Sequence, residues 1–177
     1  MKTKTACLVL AAALLASCGK KETTAAVPAA TAPSAALSAV LAAAPGGEAK
    51  PIHLVRATAK PGDDITLSGK IMGNAHPFVE GRAAFILGDT EVLTACNEDP
   101  ADKCETPWDV CCDSPEDKRR GIATVQVVGA DGRVLKESLD GVGGLAKLAA
   151  VTVSGKVAEG SSADLLIVTA TAIRAGK

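Results

Sequence analysis

The chain has 177 residues with 19 basic and 20 acidic side chains and a formal net charge of -1, so it has no overall field suited to holding a polyanion. Aromatic residues are scarce, with Phe78, Phe85, Trp108 and no tyrosine. This excludes the stacking platforms that single-stranded nucleic acid needs, and no nucleic-acid partner is expected. The core must be built from Val, Ile, Leu and Ala.

At the N-terminus, Lys2 and Lys4 precede an apolar stretch over residues 8–16 and then small residues, the three-part layout of a secretory signal. The stretch is too short for a spanning helix. The tetrapeptide Leu15-Ala16-Ser17-Cys18 resembles a lipobox, the motif in which the cysteine thiol receives diacylglycerol before cleavage on its N-terminal side. Residues 1–17 are therefore expected to be signal peptide and Cys18 the lipidated first residue of the mature chain. Two or three acyl chains would hold it on a membrane at roughly 0.8 kcal/mol per buried methylene. Gly19 after the cysteine points to outer-membrane sorting, facing the periplasm, if the cell is Gram-negative. Loss of Lys2 and Lys4 leaves 17 basic against 20 acidic residues, a mature net charge of -3.

Residues 18–50 are rich in Ala, Thr and Pro, a composition that does not build a core, and read as a tether. Within it, 34–44 is helix-prone, with Leu37, Val40 and Leu41 on one side, but so short a helix is marginal alone. The folded domain is expected over 51–177.

Strand periodicity begins at 64–71, where Ile65, Leu67, Gly69 and Ile71 alternate with Thr66, Ser68 and Lys70. A second strand is expected at 83–87, with 91–95 continuing it beyond Gly88-Asp89. Further on, 122–128 and 134–139 flank Ala130-Asp131-Gly132, a hairpin signal. A turn and short helix are expected over 141–148, followed by strands at 151–157 and 165–173.

This order predicts an all-β domain with small α content. The two segments Ile65-Thr-Leu-Ser-Gly69-Lys-Ile71 and Val151-Thr-Val-Ser-Gly155-Lys-Val157 each carry an internal glycine where a barrel strand must coil sharply. The domain resembles an OB-fold, a five-stranded Greek-key barrel, and the chain resembles uncharacterised bacterial lipoproteins with an OB-like domain over most of residues 60–175. The resemblance implies a fold more firmly than an activity. An antiparallel β-sandwich shows much the same alternation and stands as the alternative.

Between the second and third strands lies a segment holding Cys96, Cys104, Cys111 and Cys112, with Trp108 among them. In an oxidising compartment four thiols are most economically two disulfides. The adjacent pair makes a strained ring, so Cys111 and Cys112 are expected to bond separately to Cys96 and Cys104. Closing about 15 residues stabilises by roughly 3 kcal/mol in the chain-entropy model. Trp108 is expected to pack on the sulfurs or cap the barrel, and to mark the binding surface. The alternatives are a metal site or a redox centre on the same four cysteines, although the spacing is not that of paired zinc knuckles and no Cys-x-x-Cys occurs. Eight acids lie between Cys96 and Asp117 against Lys103 alone. They read as a solvated loop in preference to a calcium site, with Lys118-Arg119-Arg120 neutralising the face.

Gly141-Val-Gly143-Gly144 superficially fits a dinucleotide fingerprint, but the βαβ context is missing. Met72 and His76 share one loop and invite a soft-metal reading, which a single Met and His do not carry. His53 and His76 have no evident nucleophile partner, and no catalytic motif is found. The expectation is thus a non-catalytic envelope lipoprotein without cofactor beyond its lipid, binding a protein, glycan or small ligand. A metal-handling or thiol-redox lipoprotein using Cys96, Cys104, Cys111 and Cys112 is the alternative.

Overall fold

The computed structural model describes residues 32–101 and 103–176. The signal segment, Cys18 and the first part of the expected tether lie outside them. Five strands, β1 (Asp64–Ile71), β2 (Ala84–Gly88), β3 (Ile122–Gln126), β4 (Ala150–Val157) and β5 (Leu166–Ala175), close into a barrel in the order β1-β2-β3-β5-β4. Closure overturns the sandwich alternative. All neighbouring pairs are antiparallel except β3 and β5, which run parallel from Ala123 opposite Leu166 to Gln126 opposite Thr169.

The two-residue period acts as the alternation requires. In β4, Val151, Val153, Gly155 and Val157 are buried while Thr152, Ser154 and Lys156 are not. Leu67, Ile71, Phe85, Leu87, Val125 and Val153 are fully buried in the interior. The two internal glycines are required by close approach of neighbouring backbone. A Cβ on Gly69 would stand 2.5 Å from the Gly88 carbonyl oxygen, and one on Gly155 would stand 2.3 Å from that of Thr169. At Gly155 the pairing with β5 also slips, Ser154 facing Ala172 and Gly155 facing Ala170, a bulge that bends the sheet where the barrel must turn.

The folded unit begins earlier than composition suggests. Helix α1 (Ala35–Ala42) starts at Ser34, whose hydroxyl accepts from the Leu37 N–H at 3.2 Å and donates to the Glu137 carboxylate. Leu37 is fully buried in the barrel core, and the compact unit runs from Ala32. Residues 32–50 thus belong with the barrel and not with the tether expected over 18–50. Leu37 is buried and Val40 and Leu41 pack against the same core, and burying the leucine alone gains about 1.5–3 kcal/mol. A second helix, α2 (Ile52–Arg56), buries Ile52 and hangs its Arg56 guanidinium on the carbonyls of Ile122 and Ala163.

Three expected elements differ. Residues 134–139 are not a strand. Val134 makes a single bridge to Val128, and the Leu135 N–H donates to the Val127 carbonyl, because β3 finds its second partner in β5. Residues 91–95 do not continue β2: the Asp89 carboxylate accepts from the Glu91 N–H and the Asp89 carbonyl from the Leu93 N–H, turning the chain. The short helix expected within 141–148 is a series of turns, with Gly141, Gly143 and Gly144 all at positive φ.

Candidate functional site

The segment between β2 and β3 folds as a cap over a small second core, in which Met72, Leu93, Ala95 and Val110 are buried against Val92, Ile122 and Leu148. Its two limbs pair through backbone: the Cys96 N–H donates to the Asp109 carbonyl and the Asn97 N–H to the Pro107 carbonyl, both at 2.9 Å. Cys96 opens a 3-10 turn, Cys96–Glu98, and Lys70 of β1 holds that turn through Glu98 at 2.6 Å. The cap returns to the barrel by helix α3 (Pro115–Gly121), which follows Ser114-Pro115-Glu116-Asp117: a cap, a proline in the first turn, acids at the start and Lys118, Arg119 and Arg120 at the end. The basic run thus belongs to a helix, and Lys118 Nζ donates to the Cys111 carbonyl at 2.9 Å.

These bonds bring the cysteines together. The sulfurs of Cys96, Cys104 and Cys111 lie within 4.8 Å of one another, the one group of three or more metal-ligating side chains that gathers among the described residues. Cys96 Sγ is 3.5 Å from Cys111 Sγ. Cys111 Sγ is 3.8 Å from Cys112 Sγ, at the exposed edge. Burial falls from Cys96, which is buried, through Cys104, which is intermediate, to Cys111 and Cys112, which are exposed. Hydrogen bonds from the Thr106 hydroxyl, 3.2 Å from Cys104 Sγ, and then from the Thr106 N–H hold the Cys104 thiol below its usual pKa, favouring thiolate.

Trp108 is half-buried in the cap. Its indole N–H donates to the Ala75 carbonyl at 2.9 Å, and Lys147 Nζ sits 3.9 Å from the ring centroid. The ring therefore fastens the cap to the loop after β1. Five of the eight acids are engaged, four of them within the cap. Asp99 and Asp109 accept from nearby N–H groups, Asp113 accepts from the Thr94 N–H, Asp117 from the Ser114 hydroxyl and Arg120, and Glu98 pairs with Lys70. They set the loop's shape and do not gather as a cation site among the described residues.

The other residues singled out in the sequence lie apart. Met72 is fully buried in the second core and His76 is exposed, so they do not form a common site. His53 points Nδ1 at the buried Asp89 carboxylate, 2.8 Å away, with its own N–H on the same oxygen. An open groove of about 940 Å3 runs between residues 46–59 and strands β1 and β4, past Lys50, Leu54, Asp64 and Ser154. Among the described residues no helix is long and apolar enough to cross a membrane.

Comparison with known families, with curated proteins and with solved structures returns no match for this chain.

Proposed function

We propose that this protein is an exported lipoprotein, held to a membrane by lipid on Cys18, whose barrel carries a soft-metal thiolate centre built from Cys96, Cys104 and Cys111. The observation that carries the reading is the convergence of the three sulfurs. Thiolates at about 2.3 Å from one tetrahedral ion stand about 3.8 Å from each other; Cys96 and Cys111 are 3.5 Å apart and all three sulfurs lie within 4.8 Å. Thiolate ligands select zinc or copper(I) over hard cations. The role is binding, with no reaction assigned. The barrel is OB-like, a reading supported by the strand order with its one parallel pair, and in a Gram-negative cell the outer membrane facing the periplasm is the proposed location on the strength of Gly19.

A second reading is favoured by the same 3.5 Å approach of Cys96 and Cys111. Oxidation there, and between Cys104 and Cys112, would staple the cap by two disulfides and leave Trp108 at the surface that meets a protein, glycan or small ligand.

Intact mass, thiol titration and elemental analysis on protein purified from the envelope without added reductant separate the readings. One equivalent of bound metal, thiols that become titratable only in denaturant with chelator, and loss of the metal in Cys96→Ser are the expected result. A mass lower by four hydrogens with no titratable thiol and no metal overturns the metal reading in favour of the stapled cap. Mass spectrometry of the mature N-terminus tests the anchor: an unmodified Cys18 would remove it.

A further inference from the structure

We infer that the ion held here is copper(I) in a three-thiolate site, and that Cys112 is the ligand that passes it on. This rests on the metal reading above and adds the identity of the ion and the route by which it leaves. Three sulfurs share the 4.8 Å cluster and Cys112 stands outside it. Zinc takes four protein ligands in a closed structural site, or three plus water in an open site whose ligands include imidazole; a set of three thiolates and nothing else matches neither, and such soft ligands suit copper(I).

The gradient of burial then gives the site a direction. Cys96 is fixed at the inner end by its N–H bond to Asp109 and by the Lys70–Glu98 pair on the same 3-10 turn. Cys111 and Cys112 are at the solvent edge with their sulfurs 3.8 Å apart, so Cys112 reaches the outer side of an ion bound to Cys111 without movement of the barrel. Metal–thiolate bonds exchange by addition of an incoming ligand before the old one leaves. The step is a plain substitution: a copper–sulfur bond forms to Cys112, the bond to Cys111 breaks, and the proton released by the Cys112 thiol is taken up on the Cys111 sulfur. No change of oxidation state occurs. A thiolate or chelator arriving from solvent repeats the same substitution at Cys112 and removes the ion. A site without such an exposed thiol would hold its metal structurally. This one is arranged to accept and surrender it.

The test uses the mature lipidated chain in detergent, reduced and loaded anaerobically with one equivalent of copper(I), and the variants Cys112→Ser and Cys112→Ala. Affinity is read by competition with bicinchoninate, and transfer by stopped-flow mixing with excess bicinchoninate. Both variants should keep one copper and an affinity within about threefold of the parent, while transfer slows by about tenfold or more, against the larger losses of affinity expected from removing a true ligand. An unchanged transfer rate overturns the role of Cys112. A drop in affinity in both variants beyond the roughly 10–100-fold that loss of an outer-shell partner costs makes Cys112 a fourth core ligand and overturns the three-thiolate site. Failure of the parent chain itself to bind copper(I) while binding zinc overturns the identity of the ion alone. If it binds neither, the metal reading falls with it.

Discussion

In the barrel, each of the five strands places fully or nearly fully buried apolar side chains into one shared core, joined by Leu37, Ile52, Leu139 and Leu145 from outside the sheet. The cap between β2 and β3 buries Leu93, Ala95, Cys96 and Val110 and otherwise holds its shape with carboxylates on neighbouring N–H groups. Apolar burial is indifferent to redox state and metal, whereas a small core with polar ties draws its order from whatever the cysteines do. Changes in sulfur chemistry should therefore alter the cap and leave the barrel standing.

That division can be broken at several points. The largest effect is expected from Gly155→Val, because the added Cβ would stand 2.3 Å from the Thr169 carbonyl oxygen at the bulge. We expect a loss of about 4 kcal/mol or more, or no folded protein. Denaturant unfolding within 1 kcal/mol (about two standard errors of a careful extrapolation) of the parent would show that the glycine is not required there.

Leu37→Ala should follow at about 2–5 kcal/mol, the range for emptying a buried leucine site. A negligible change would return α1 to the tether. Cys96→Ser sharpens the contrast from the other side: metal uptake should be lost while the barrel's unfolding free energy changes by no more than about 1 kcal/mol, the worth of a typical lost hydrogen bond. Near-UV dichroism of Trp108 and far-UV dichroism of the barrel report the two regions separately. Lys147→Met, which strips the cation from the Trp108 face, should weaken the cap's attachment by about 0.5–1 kcal/mol.

The smallest effect concerns pH. The Ser114 hydroxyl, and after it Arg120, hold the Asp117 carboxyl below its ordinary value near 3.8. A carboxyl depressed by folding contributes stability that is complete above its unfolded pKa and lost as pH falls through the folded one. Protection factors of the amides at the start of α3 should therefore fall on acidification through and below that range, and Asp117→Asn should abolish the dependence.

Much of the barrel was readable because four of its strands carry their period in the sequence. Asp64–Ile71 and Ala150–Val157 alternate almost without fault. The mistaken hairpin has a plain cause. Asp131-Gly132 does make a turn, with the Gly132 N–H on the Gly129 carbonyl, but local turn chemistry is silent on whether β3 will pair next with 134–139 or with a strand some forty residues on. The docking of α1 was hidden because the Ala- and Pro-rich composition around it outweighed Leu37. Helix α3 did have a signal, Ser114-Pro115-Glu116-Asp117, overlooked beside the cysteines. That the cysteines of this segment come together was legible from their number in one loop, but not which of them would form the closest group. Cys96 and Cys111 are fifteen residues apart, and they meet only because backbone bonds at Asn97 and Asp109 fold one limb of the cap onto the other.

One tie at the base of the cap has a consequence for how such a chain can vary. The Thr94 N–H donates to the Asp113 carboxylate at 2.9 Å, so the cap leaves the barrel and returns to it at the same place. An excursion whose two ends already touch can be lengthened at about 0.6 kcal/mol per doubling, or exchanged for another, with little strain on the strands beneath. The barrel is in that sense a socket, and relatives descended from the same scaffold could carry quite different loops on the same five strands.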